Sequence, residues 1–111
     1  MNSYNKYTDL QINELVATRL KKKCLLTEES VLAYMDSGYR TFDPCSNPTD
    51  AMPIIKDNFI SITYDGIAWD VSCVKHPELS VWSGLENYND NFYRKAMELF
   101  LLMKDAENEK V

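Results

Sequence analysis

Glycine, histidine and cysteine are scarce in this chain, and basic residues are outnumbered. The three glycines, at 38, 66 and 84, are isolated, so there is no glycine-rich loop to cradle a phosphate. One histidine, His76, and three irregularly spaced cysteines leave little material for nucleophile–base pairs. Cys24, Cys45, Cys73 and His76 form only a notional zinc set, because structural zinc sites use two close ligand pairs and only one is present. The odd cysteine count rules out a fully paired disulfide framework within one chain, and the spacing points to reduced thiols in a cytoplasm. No apolar run approaches the ~20 residues that span a bilayer. The opening MNSYNKYTD has no basic region followed by an apolar one, so no secretory signal is expected. A net charge of −5 disfavours nucleic acid and anionic membranes as direct partners, since both are held by clustered Lys and Arg. The one basic run, Lys21-Lys22-Lys23, reads as a helix C-terminus complementing the helix dipole.

What is present is an ordinary globular composition, 45 % apolar and 26 % charged over 111 residues, which bounds one domain with a modest core. Its densest signals lie in FDPCSNPTDAMPIIKDNFISITYDGIAWD, residues 42–70. Asn47-Pro48-Thr49-Asp50 is a helix start: an N-cap, a proline at the first position and an acid in the positive first turn. Pro53 inside that helix predicts a short or kinked element ending near Asp57-Asn58. Residues 59–64 then alternate, with Ile60, Ile62 and Tyr64 on one face, and Ile67, Trp69, Val71 and Cys73 continue one face of a returning strand. Asp65-Gly66 between them predicts a two-residue type I′ turn.

Flanking this centre are helices. Thr8 and Gln11 have capping-box spacing ahead of a stripe of Leu10, Ile12, Leu15, Val16 and Leu20, predicting a helix over 9–22 with Asn13 outside the stripe. Residues 1–5 are expected to fray. Residues 25–41 fit either a short helix capped at Thr27 or a strand over 30–35, a turn at Asp36-Ser37-Gly38 and a strand over 39–42; the strand reading is preferred. Residues 75–90 lack a period and read as a long loop anchored by Val81, Trp82 and Leu85. Asn91 caps a last helix whose Phe92, Ala96, Leu99, Phe100 and Met103 face the core, with Arg94, Lys95, Glu98 and Lys104 outside and fraying beyond about Asp105. The expected architecture is therefore α+β: a small antiparallel sheet with a β-hairpin, covered by N-terminal, central and C-terminal helices, in one domain over 1–111 whose tail is 106–111.

FDPCSNPTDAMPII at 42–55, ISITYDGIAWDVS at 60–72, NFYRKAMELFLLMKDA at 91–106 and the opening YTDLQINELVA at 7–17 resemble the uncharacterised phage NinX-like family. The helix–strand–helix order also resembles the phage ABA sandwich domain. Pro48, Met52 and Phe92 depart from the residues usual in that family. The resemblance implies a phage or prophage accessory protein and brings no catalytic residue to carry over.

Candidate chemistry is thin. Cys45 precedes a helix N-terminus, a position that lowers a thiol pKa, although buried packing is the simpler role. Asp43, Asp50, Asp65 and Asp70 supply acids, of which only Asp70 lacks an evident structural role. The aromatics Tyr64, Trp69, Trp82, Tyr88 and Tyr93 exceed what such a core requires, and exposed Trp and Tyr make binding hot spots. Trp82 and Tyr88, with Trp69 and Tyr64 beside them and Glu78, Glu86 and Asp90 as an acidic rim, form the expected interface for a basic protein surface. The leading expectation is a non-enzymatic phage accessory protein that binds a host or phage protein, with no cofactor and no metal, and with homo-oligomers compatible. Alternatives are a small-ligand protein sequestering a nucleotide-like signal, and a minor hydrolase using Asp43 or Asp70.

Overall fold

The computed structural model describes residues 4–35, 38–79, 81 and 91–108. The chain runs α1 (Asp9–Arg19), β1 (Cys24–Leu26), β2 (Val31–Met35), β3 (Gly38–Thr41), α2 (Pro48–Asp57), β4 (Ile60–Tyr64), β5 (Trp69–Cys73) and α3 (Phe92–Asn108). The class is α+β, with the three helices in the expected order. The strands divide into two antiparallel sheets, a meander β1-β2-β3 and a hairpin β4-β5. Residues 31–35 and 38–41 adopt the strand alternative, Asp36-Ser37 of the expected turn lie outside the described residues, and β1 is an additional strand whose pairing with β2 turns on Thr27. The Thr27 hydroxyl accepts from Glu29 and Ser30 N–H and closes the turn.

Helix α3 is the centre of the molecule, packing on α1, α2, β4 and β5. Its Leu99, Phe100, Leu101, Met97 and Met103 are fully buried and meet Ile12 and Val16 of α1 and Phe42 ahead of α2. At roughly 1.5–3 kcal/mol per buried large side chain, this helix supplies much of the hydrophobic stabilisation. A helix enclosed on so many sides cannot keep a clean polar face. Lys95 and Glu98, expected outside, are each 6 % exposed, and the helix continues to Asn108 instead of fraying near Asp105. The polar groups are carried inward because they find partners: Lys95 Nζ donates to the Trp69 carbonyl at 2.9 Å, and Glu98 accepts from Arg94 Nε at 2.6 Å.

The Thr8–Gln11 capping box forms as expected, but α1 stops at Arg19. Lys21 takes a left-handed conformation, φ 59°, and Lys21 and Lys22 N–H close back on the Thr18 and Ala17 carbonyls in a Schellman motif. The basic run therefore lies beyond the helix, not in its last turn. Asn13, expected outside, is buried: its side chain accepts from Cys45 N–H at 3.1 Å and donates to Asp43 at 2.9 Å. Asn91 Nδ2 reaches the Cys45 carbonyl at 2.7 Å and its Oδ1 caps α3 through Arg94 N–H. The segment 42–45 is thus tied by one asparagine from each terminal helix. Tyr4 is buried too, its hydroxyl hydrogen-bonded to Asp105, so the expected fraying does not reach it.

Helix α2 begins at the Asn47 cap and ends at Asp57 as read, with Pro53 inside it. Phe59 is not in the strand; it is the left-handed residue after the α2 cap, φ 56°. The hairpin turn is a correction. Tyr64 pairs with Trp69, leaving the four residues Asp65-Gly66-Ile67-Ala68 outside the ladder, and only Gly66, φ 99°, is left-handed. A type I′ turn needs positive φ at both central positions. Asp65 instead accepts from Ile67 and Ala68 N–H, both at 2.8 Å, which stabilises the wider loop. The register moves by two, so the expected faces survive: Ile60, Val71 and Cys73 point into the core.

Candidate functional site

The expected interface is only partly brought together. Tyr64 and Trp69 face each other across the β4–β5 ladder, ring centroids 5.2 Å apart, and Trp69 continues to Phe92 at 5.0 Å and Phe92 to Tyr93 at 4.7 Å. This ladder of four rings runs from an exposed Tyr64 to the start of α3. Glu78 lies at the other end of that helix: His76 stands between Glu78 and Glu107, 3.6 and 3.5 Å away. Fifteen residues of helix separate Phe92 from Glu107, about 22 Å of axial rise. Trp82, Tyr88, Glu86 and Asp90 lie outside the described residues, as does Leu85; Val81 is buried, as expected of an anchor.

The candidate reactive groups are committed elsewhere. Cys45 is fully buried; desolvation, with the nearby Asp9 carboxylate adding to it, pushes its thiol well above the ordinary range, opposite to the helix N-terminus effect. Cys73 Sγ contacts the Asn58 carbonyl at 3.4 Å, and the three cysteines are free thiols. Among the acids, Asp50 accepts from Asp43 N–H at 2.9 Å and Asp43 accepts from Asn13, whereas Asp65 holds the hairpin turn and Asp70 sits exposed in β5 opposite Thr63. The four are split between two regions of the fold and do not converge on one site. Asp43 does line a cleft of about 180 Å³ with Asp9 and Glu29.

A surface not anticipated from the sequence is the outward face of the meander. Val31 and Ala33 point inward and are buried, so Leu32 and Tyr34 point out. Register places Leu25 beside Leu32 and Tyr39 beside Tyr34. The two tyrosines pack edge-on, centroids 5.3 Å apart and planes at 75°, with Lys23 Nζ 5.8 Å over the Tyr34 ring. Leu25 is 51 % exposed, Tyr34 47 % and Tyr39 37 %. The signal was legible: VLAYM at 31–35 contains no polar residue, so neither face of that strand is written for water. Only one face is covered, by α1 and the core. The exposed apolar residues on this face are therefore neighbours rather than scattered singly.

The fold and these surfaces define a small α+β domain with exposed aromatic faces. Comparison with protein-family models, curated proteins and solved structures finds no match to this chain. Among the described residues, no helix is long and apolar enough to cross a membrane.

Proposed function

We propose that this chain is a non-enzymatic binding protein that engages a protein partner through its exposed aromatic surface. The observation that carries the reading is the outward face of β1–β3, where Leu25, Leu32, Tyr34 and Tyr39 form one apolar patch on a strand that is apolar on both sides. Desolvating Tyr rings supplies binding energy at low conformational cost, while Lys23 beside Tyr34 and Glu28-Glu29 in the adjoining turn give the patch a charged rim. The hairpin ladder of Tyr64 and Trp69 is the second contact region, and Trp82 and Tyr88 of the expected interface belong to the proposal with it. The resemblance of 42–55, 60–72 and 91–106 to the NinX-like family supports a phage or prophage accessory role. Inhibition of a host or anti-phage defence protein in the bacterial cytoplasm is the form such binding would take.

The test uses tagged full-length chain expressed in a bacterial host, with Tyr34→Ser/Tyr39→Ser, Tyr64→Ala, Trp82→Ala and Tyr88→Ala variants shown to keep the wild-type melting temperature. The expected result is one stoichiometric partner retained by wild type and weakened about 30-fold by the paired tyrosine variant, the loss of a ~2 kcal/mol hot spot. Retention of the same partner by every variant would sink the surface assignment.

A further inference from the structure

A groove of about 340 Å³ lies between the inner edge of the meander and α2, in the size range of small-molecule sites. Its floor is apolar, built from Leu20, Met35, Phe42 and Ile54. Lys22 and Arg40 line it from one side, and Asp57 and Asp50, the latter already accepting from Asp43 N–H, from the α2 side. These opposite charges do not close on one another: among the described residues, neither Lys22 nor Arg40 has a carboxylate within ion-pair distance. Arg40 spends its one side-chain hydrogen bond on the Met35 thioether, a weak acceptor, at 3.2 Å. Lys22 Nζ rests 5.5 Å over the Phe42 ring. The left-handed turn at Lys21 is what carries Lys22 off the α1 axis and into the groove. Opposite, Pro53 removes the N–H that would have met the Thr49 carbonyl, so that carbonyl lacks its helical partner on a residue that lines the same groove.

We infer that this groove binds a small phosphorylated molecule of nucleoside-monophosphate size, its phosphate on Lys22 and Arg40 and its hydrogen-bond donors toward Asp57 and the Thr49 carbonyl. The chemistry selects the class. A guanidinium and an ammonium on one side match an anion, and Arg adds a fork suited to phosphate oxygens. Acceptors on the far side exclude a ligand that is anionic throughout and require one that also carries hydroxyl or amino donors, as a ribose or base does. The apolar floor between them accommodates the uncharged body. Lys22 and Arg40 thereby gather the groove's positive charge on one side, with Asp50 and Asp57 balancing it on the other.

The test is titration of the purified full-length chain with AMP, GMP, CMP and UMP, and separately with inorganic phosphate, followed by calorimetry and by amide shifts in NMR spectra. At least one monophosphate is expected to saturate below about 1 mM, with shifts at Lys22, Arg40 and Asp57, and phosphate alone to bind more weakly at the same residues. Arg40→Gln and Lys22→Gln should each weaken binding about tenfold, the loss of one charge-assisted contact. Both side chains are at the surface, and an unchanged melting temperature confirms that the variants are folded. Absence of saturation by all four monophosphates overturns the inference. So does binding that is indifferent to both substitutions, which would place the anion elsewhere.

Discussion

Removal of the Arg94 side chain gives the sharpest test of how this fold is held. Arg94 leaves the first turn of α3 and donates to Glu98 and Asp9, both at 2.6 Å, and to the Tyr7 and Tyr4 carbonyls at 2.6 and 3.1 Å. Burial opposes its charge, but the hydrogen bonds to Glu98 and then Asp9 more than offset this, and its pKa lies above the ordinary value. The Asp9 half of the network is 52 % exposed and adds at most ~1 kcal/mol. The Glu98 half is different. That side chain is only 7 % exposed, and stripping a buried carboxylate of its guanidinium costs about 3–5 kcal/mol. Arg94 itself is 12 % exposed, so water can reach part of the site and the low end, ~3 kcal/mol, is expected for Arg94→Ala. At ~4 °C per kcal/mol for a domain of this size, the melting temperature should fall by about 12 °C in calorimetry or circular dichroism. Arg94→Met combined with Glu98→Leu should recover most of that loss, because the buried carboxylate that lost its guanidinium is then gone as well. A melting temperature for Arg94→Ala within ~2 °C of wild type would refute the reasoning. A double variant no better than the single one would show that packing, not charge, dominates.

Three further outcomes are expected. Gly66→Val should lower stability by about 1 kcal/mol or more, read by chemical denaturation, because φ 99° strains a β-branched residue even though open space surrounds the position. The Asp65 carboxylate, held below its ordinary pKa by N–H bonds from Ala68 and Ile67, favours the folded state above the unfolded-state pKa; the melting-temperature advantage of wild type over Asp65→Ala should therefore be present at neutral pH and shrink as pH falls below about 4. Iodoacetamide at neutral pH, followed by mass spectrometry of the native chain, should modify the half-exposed Cys24 well before Cys45, whose thiol is raised and fully buried; equal labelling would mean that Cys45 is not enclosed.

Local chemistry determined most of what could be read in advance. The Thr8–Gln11 box, the Asn47-Pro48 start, the Asn91 cap and the period-two faces of β4 and β5 are interactions between residues a few positions apart, so they are written where they act. The side on which a polar residue falls is not local. Asn13, Lys95 and Glu98 look like solvent positions on isolated helices, and their burial depends on Cys45, Trp69 and Arg94, contributed by other elements or another turn. The hairpin shows the same boundary at closer range: Asp65-Gly66 announces a turn, but its length follows from which rung pairs, and Tyr64 against Trp69 lets the latter reach Phe92 on α3. The apolar strand VLAYM could announce two apolar faces but not which one would be covered. The groove at Lys22 and Arg40 likewise joins residues from separate parts of the chain. Caps, turns and periodicity are short-range and sequence encodes them directly; burial, ion pairing and concavities are properties of surfaces that meet only after the chain has folded.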